Sequence, residues 1–448
     1  MKTARRLHRL QRPQSLLACL RQFLTPETWK QARGAAPHRR AQPRWDLQPL
    51  VLIALAMTWA AGDAQPEKFE TARAFYVASY QARKRPGKTI QGFQKALGRL
   101  PLRRLGALAA GVRDQIRRHY GARLLVDGFE PMGCDGSRLA CPRSAELEAR
   151  LRAAGNPDSA PTIWVTAFVH LGLGLLWSWR LGPGTADELA HLRQMLTTLS
   201  PQALIVADAA YIGYELACAI LRSRRSFLVR MSSKVHLYTA EQTELTRWSE
   251  GLVYYWPGYV QERGLPPIAC RLIRVPARGQ AKHDVWLLTN ILDPERLSVA
   301  TAARFYRWRW RNEGIFRIYK RTLNKLKLSS RTVRLVHREA FVSLLAVQLL
   351  LAHADLALRP KHSTGEPAIS PRKVLMMIRR EMKGQAKHGA GSYRRRLEDC
   401  RAEARVQTSP KACRPWPRRT PHKPPRPPIL HPLTEQQKVL LHKLLNAA

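Results

Sequence analysis

The chain has 448 residues, of which 76 are Lys or Arg against 32 Asp or Glu, giving a formal net charge of +44. Such an excess repels itself in a compact fold unless a polyanion neutralises it, so a small-metabolite enzyme is a poor fit and nucleic acid is the leading partner; a ribosome-bound basic protein and an anionic membrane surface are weaker alternatives. With 45% hydrophobic residues, 12 Trp, 12 Tyr and 10 Phe, the chain can bury a core and is long enough for two or three domains, and its 7 cysteines, odd in number and without a C-x-x-C pair, indicate neither a disulfide framework nor a zinc site.

The chain opens on a basic amphipathic stretch rather than a signal peptide, and a reducing cytosol suits the cysteines. Up to about residue 120 apolar residues recur at helical spacing, as in Leu50, Val51, Ile53, Ala54 and Met57, with basic turns such as residues 83–88 between segments. This predicts an all-α N-terminal region over 1–120. The apolar run 49–61 is too short for a bilayer, which needs about 20 residues.

Short β-like runs come next at 123–126, 163–171 and 175–181, with Gly172 and Gly174 in the turn between the last two; 186–199 reads as a helix, 203–207 as a strand, 214–223 as a helix and 226–231 as a strand. That order is the order of a ribonuclease-H-like core. Residues 234–292 alternate and are rich in aromatics, which predicts a β-rich insertion closing in a strand at 285–289. The core then resumes over 293–360, with a long helix from about 299 to 326 and another over 333–358. The latter carries Gln348, His353 and Asp355 and suits a buried helix better than a membrane span. After Gly384 apolar periodicity is lost, and the basic, Pro-rich tail (361–448 in all) is expected to be extended or disordered and to lie along phosphates, ending in a short helix at 434–445.

Three acids stand out. Glu313 lies in the run Phe305-Tyr306-Arg307-Trp308-Arg309-Trp310-Arg311-Asn312-Glu313. On one continuous helix Tyr306, Arg309, Glu313, Arg317 and Lys320 share an arc of roughly 80°, while Phe305, Trp308, Ile315, Tyr319, Leu323 and Leu326 share another. A glutamate on a basic helix is ordinarily one half of an i,i+4 pair, here with Arg309 or Arg317. Asp208 ends the apolar strand Leu204-Ile205-Val206-Ala207, where an acid serves a ligand or metal, or caps the next helix. Asp135, in Gly133-Cys134-Asp135-Gly136-Ser137, sits where the first core strand should run, and Asp127, in Val126-Asp127-Gly128, is its rival.

Together, Asp135-Gly136-Ser137, the strand-end Asp208, and the complete Y-x-x-R-x-x-x-E-x6-K spacing at Tyr306, Arg309, Glu313 and Lys320 resemble the DDE transposases of bacterial insertion sequences, of the type called insertion sequence family four. The resemblance covers about residues 135–358; Ala210 departs from it, standing where that family more often has glycine. It implies a ribonuclease-H-like fold, Asp135, Asp208 and Glu313 as catalytic ligands of Mg2+ (or Mn2+), transposon-end and target DNA as substrates, and a homodimeric synaptic complex in the nucleoid. Three hard oxygen ligands suit Mg2+, and a pair of such ions about 3.5–4 Å apart promotes in-line displacement at phosphorus. Tyr306, Arg309, Arg317 and Lys320 would bind DNA, and Trp248, Trp256 and Trp286 either form the insertion's own core, the commoner case, or stack on an extruded base. A catalytically inactive relative that still binds nucleic acid, or a purely hydrolytic nuclease, is the alternative.

Overall fold

Hydroxyl side chains start the helices of the N-terminal region, where Ser15, Thr25 and Thr89 each accept the N–H three residues on. The helices are α1 (Leu16–Phe23), α2 (Pro26–Gly34), α3 (Leu47–Trp59), α4 (Gln65–Ser79), α5 (Ile90–Arg99) and α6 (Leu102–Tyr120). The computed structural model describes residues 15–36, 45–80, 85–152, 158–241, 243–277, 283–358, 369–384, 390–401 and 426–446. Residues 83–84 of the basic turn and the core of the Pro-rich tail lie outside them.

Strands and helices then alternate: β1 (Glu130–Ala140), α7 (Ala145–Leu151), β2 (Thr162–His170), β3 (Leu175–Pro183), α8 (Glu188–Met195), β4 (Ala203–Ala207), α9 (Tyr214–Arg222) and β5 (Ser226–Arg230). The aromatic stretch gives β6 (His236–Thr239), β7 (Glu250–Tyr255), α10 (Gly258–Glu262), β8 (Ile268–Val275) and β9 (Val285–Thr289). The chain closes with α11 (Val299–Trp308), α12 (Trp310–Arg317), α13 (Val333–Leu358), α14 (Pro371–Met382), α15 (Ala390–Glu398), β10 (Ile429–Pro432) and α16 (Glu435–Asn446). The fold is mixed α/β, with a large mixed sheet and N-terminal helices.

Two compact units share the chain, each discontinuous in sequence: residues 1–124, 136–187 and 313–403 form the first, and residues 125–135, 188–312 and 404–448 the second. In the first unit α13 is the central element. Its length and apolarity match a membrane span, yet 83% of its apolar window is buried within the protein, as the polar residues along it require. The Gln348 amide donates to the carbonyls of Leu176 and Trp177 at 3.1 and 3.0 Å, and Asp355 accepts from the Tyr120 hydroxyl at 2.7 Å. The Trp59 indole of α3 donates to Ala346 O at 3.3 Å. β2 and β3 pair antiparallel through the turn that Gly174 closes at φ 67.

In the second unit the strands run in the order β10-β6-β7-β8-β9-β5-β4-β1. β1, β4 and β5 are mutually parallel, whereas β5-β9, β9-β8, β8-β7 and β7-β6 are antiparallel. The aromatic stretch is therefore an extension of the sheet at its β9 side. Val206, Leu228, Leu272, Leu287 and Leu288 are fully buried at 0% exposure, as expected of strands covered on both faces.

Three expectations are corrected. Residues 123–126 form no strand: Gly121, at φ 52, ends α6, a 3-10 turn occupies Gly121–Leu124, and Val126 and Phe129 exchange main-chain hydrogen bonds around Asp127 and Gly128, both at positive φ (48 and 78). That is the Asp-Gly signature of a tight type I′ turn. The stretch 299–326 is not one helix. Arg309 N–H bonds to Tyr306 O at 3.1 Å and Asn312 N–H to Arg309 O at 3.0 Å, tightening the chain between α11 and α12, and a π-helical turn over Ile318–Thr322 then loosens it. Finally, the described part of the tail carries ordered elements besides the expected terminal helix: α15 folds within it, and β10 pairs parallel with β6 from Ile429–His236 to Pro432–Thr239.

Candidate active site

The ends of three parallel strands set the geometry. β1 and β4 are in register from Glu130–Ala203 to Gly133–Val206, and two further steps bring Asp135 level with Asp208. β4 and β5 are in register from Leu204–Ser226 to Ala207–Val229, and one further step brings Asp208 level with Arg230. Asp208 continues the strand direction, with φ −82 and ψ 172. Side chains at equal register on neighbouring strands, about 4.8 Å apart, leave the sheet on the same face. Asp135, Asp208 and Arg230 thus form a row at the C-terminal edge, two acids followed by a base. Arg230 Nη1 lies 3.7 Å from Asp208 Oδ1, with the two side chains 30% and 41% exposed.

Asp208 is also a cap, although not of the α-helix beyond it. Its Oδ1 accepts the Ala209 N–H at 2.7 Å and its carbonyl accepts the Tyr211 N–H at 3.0 Å, closing the 3-10 turn Ala209–Tyr211. Tyr211 pins this turn from below: its buried hydroxyl donates to Glu188 Oε1 at the start of α8. Burial, and then the charges of Cys134, Glu188 and Asp135, push the Tyr211 pKa far up, so it remains a phenol. Cys134, next to Asp135, is fully buried and its thiol is likewise raised by burial. A neutral, buried pair, Cys134 and Tyr211, therefore underlies the two aspartates.

Tyr306 and Arg309 belong to the same unit. Tyr306 is 9% exposed, and its pKa is raised by burial and by Asp208, against the opposing pull of Arg309 and Arg230. Arg309 is 7% exposed, its guanidinium 5.5 Å from the Tyr306 ring centroid and 5.0 Å from that of Trp310. The expectation of Tyr306 and Arg309 on a solvent-facing basic arc is corrected: the tightened turn at Arg309 takes both side chains into the protein. Among the described residues, neither amide atom of Asn312, at 0% exposure, finds a hydrogen-bond partner, nor does Arg309 Nε. Glu313, Arg317 and Lys320 fall in the first unit. Glu313 is half-buried in the first turn of α12, Arg317 is exposed, and Lys320 sits in the π-helical turn, where burial lowers its pKa.

Among the described residues no group of three or more His, Cys, Asp and Glu side chains is placed to hold a metal ion. The structure brings Asp135 and Asp208 together; these supply hard oxygen donors on one half-exposed edge, the donor chemistry a divalent cation such as Mg2+ takes.

Asp127 does not share this edge. It sits in the tight turn before β1, whereas Asp135 lies within that strand, about 17 Å from its first residue at strand rise. There it accepts from Thr301 Oγ1 at 2.7 Å and pairs with Arg304. Of the two readings of the tryptophans, burial supports the core rather than the stacking platform: Trp248, Trp256 and Trp286 are 5%, 0% and 7% exposed, and the first two donate their indole N–H to Leu272 O and Leu265 O. They are the core of the sheet extension. Sequence reasoning missed Arg230, Glu188 and Tyr211. The signal for Arg230 was present, since an apolar strand ends in a charge at both Asp208 and Arg230.

Residues 135–349 match the family described as the transposase DDE domain. This match begins at Asp135, includes Asp208 and Glu313, and leaves out Asp127. No curated protein matches. Among solved structures, the cryo-EM structure of the piggyBac transposase synaptic complex with hairpin DNA is similar over 87% of this chain and 86% of that one, at 12% sequence identity and a TM-score of 0.44.

Proposed function

We propose that the chain is a DNA transposase that cuts at transposon ends and joins them to target DNA, with a ribonuclease-H-like core built on β1 to β5. The observation that carries this reading is the register that sets Asp135 level with Asp208 at the C-terminal edge of parallel strands, inside the stretch that matches the transposase DDE domain. Asp135, Asp208 and Glu313 would hold Mg2+, or Mn2+ in its place. Such ions supply charge neutralisation at the reacting phosphate and a more acidic attacking water or 3′-hydroxyl.

The chain's own residues do the rest. The Ala209–Tyr211 turn and the Tyr211–Glu188 hydrogen bond fix the direction of Asp208. Arg317 and Lys320 attract phosphates, while Arg309, clamped between Tyr306 and Trp310, orients the segment that leads to Glu313. The net charge of +44 steers DNA in and makes affinity salt-dependent. A homodimer in the synaptic complex and a place in the bacterial nucleoid belong to the same proposal.

The test is a supercoiled plasmid carrying the transposon end, incubated with wild-type protein and Asp208→Asn in Mg2+ or in EDTA. Mg2+-dependent nicking and then joined products, both lost in the variant, support the proposal. Nicking without joining in any target would make the chain a hydrolytic nuclease, and binding without nicking an inactive relative.

A further inference from the structure

We infer that Arg230 binds the phosphate being cut, exchanging its ion pair with Asp208 for a non-bridging phosphate oxygen when DNA enters; this rests on the transposase reading above. Arg230 occupies the place beside Asp208 in the row that register creates, on the side away from Asp135. It stands on the last residue of a buried strand, where the backbone holds it more tightly than a loop would.

The pairing with Asp208 has the character of a placeholder. At 3.7 Å it is longer than a hydrogen bond, and both side chains are about a third exposed, so its worth to stability is small. A guanidinium in that position offers a fork that matches two phosphate oxygens. Its release from Asp208 would leave that carboxylate free for a cation at the moment a phosphate arrives. Asp208, Arg309 and Arg230 all act on the buried Tyr306, the aspartate raising its pKa and the two guanidinium groups lowering it. A stretch of three side chains ordered acid, acid, base presents donors for a cation and for the anion that the cation accompanies.

The experiment compares wild type, Arg230→Ala and Arg230→Lys in single-turnover cleavage at saturating enzyme, on duplexes whose cleaved phosphate is either natural or a neutral methylphosphonate. The inference predicts a loss of about 100-fold for Arg230→Ala and an intermediate loss for Arg230→Lys, with affinity for uncut DNA within about threefold of wild type. It also predicts that the methylphosphonate slows wild type much more than it slows Arg230→Ala. Equal slowing in both, or a wild-type rate for Arg230→Ala, overturns it. If wild type cuts no DNA, the transposase reading fails, and Arg230 is judged by binding of a 40-base-pair duplex in EDTA across a range of salt concentrations. For Arg230→Ala, a salt slope smaller by about one at unchanged melting temperature supports a phosphate contact; an unchanged slope overturns it.

Discussion

The strand ends and the segment from residue 299 to 325 were read from the same sequence with unequal success, and the contrast is one of constraint. In the parallel strands each residue has one neighbour on each side and one face, so once the strands pair, the register decides which charged side chains stand together. The helical stretch was read by assuming 100° per residue throughout. A tightened turn at Arg309 and a π-helical turn at Ile318–Thr322 break that assumption, and Tyr306 and Arg309 end up buried. Period alone places side chains only where the hydrogen-bond ladder is uninterrupted.

The largest effects should come from the acids. Asp208→Asn and Glu313→Gln should each lower single-turnover cleavage on the order of 10³-fold or more while DNA affinity changes little, as a gel-shift titration would record. If Glu313→Gln cleaves normally, the helical segment contributes no ligand, and the strand ends alone carry the chemistry.

A stability change next in size is expected in α13. Burial holds the His353 pKa down to about 4 from the usual 6.5. As pH falls below 6.5 the unfolded chain takes up a proton that the folded chain refuses until about 4, so stability is present above 6.5 and drains away across that window, by about 3 kcal/mol. Replacing His353 with Leu should flatten the melting temperature between pH 6.5 and 4 relative to wild type.

Smaller still is the effect of the support beneath Asp208. Glu188→Gln keeps a hydrogen-bond acceptor for Tyr211, whereas Tyr211→Phe removes the donor; cleavage should fall about tenfold in Tyr211→Phe and less in Glu188→Gln, at unchanged DNA affinity. An equal fall in rate and affinity would mean that the turn holds the fold rather than the aspartate. The least effect on DNA is expected from Trp248→Phe: it should lower the melting temperature, because an indole hydrogen bond to Leu272 O is lost, and leave DNA affinity within about twofold.

Much of the fold was legible. The strands at 203–207 and 285–289 and the helix at 333–358 have the bounds that apolar runs and their flanks dictate. Residues 123–126 misled because a β-like composition precedes an Asp-Gly turn, whose positive φ values decide the local path. The tryptophans of the sheet extension fill its core, the commoner of the two readings their composition allows. Of the candidate site, the sequence offers Asp208 by its place at a strand end and Asp135 by its place on the first core strand, with Asp127 as a rival. Arg230 and the Glu188–Tyr211 pair were not singled out, because their relation to Asp208 arises from strand pairing and from a contact 23 residues apart in sequence.

The choice between Asp127 and Asp135 tests the account most directly, since Asp127 lies in the turn before β1 and Asp135 within the strand, level with Asp208. The measurement is cleavage of transposon-end DNA in Mg2+ by Asp127→Asn and Asp135→Asn, at saturating enzyme. Asparagine suits the turn at residue 127, so Asp127→Asn should cut at close to the wild-type rate while Asp135→Asn makes no product. A silent Asp127→Asn beside an active Asp135→Asn would contradict the register on which the site is built.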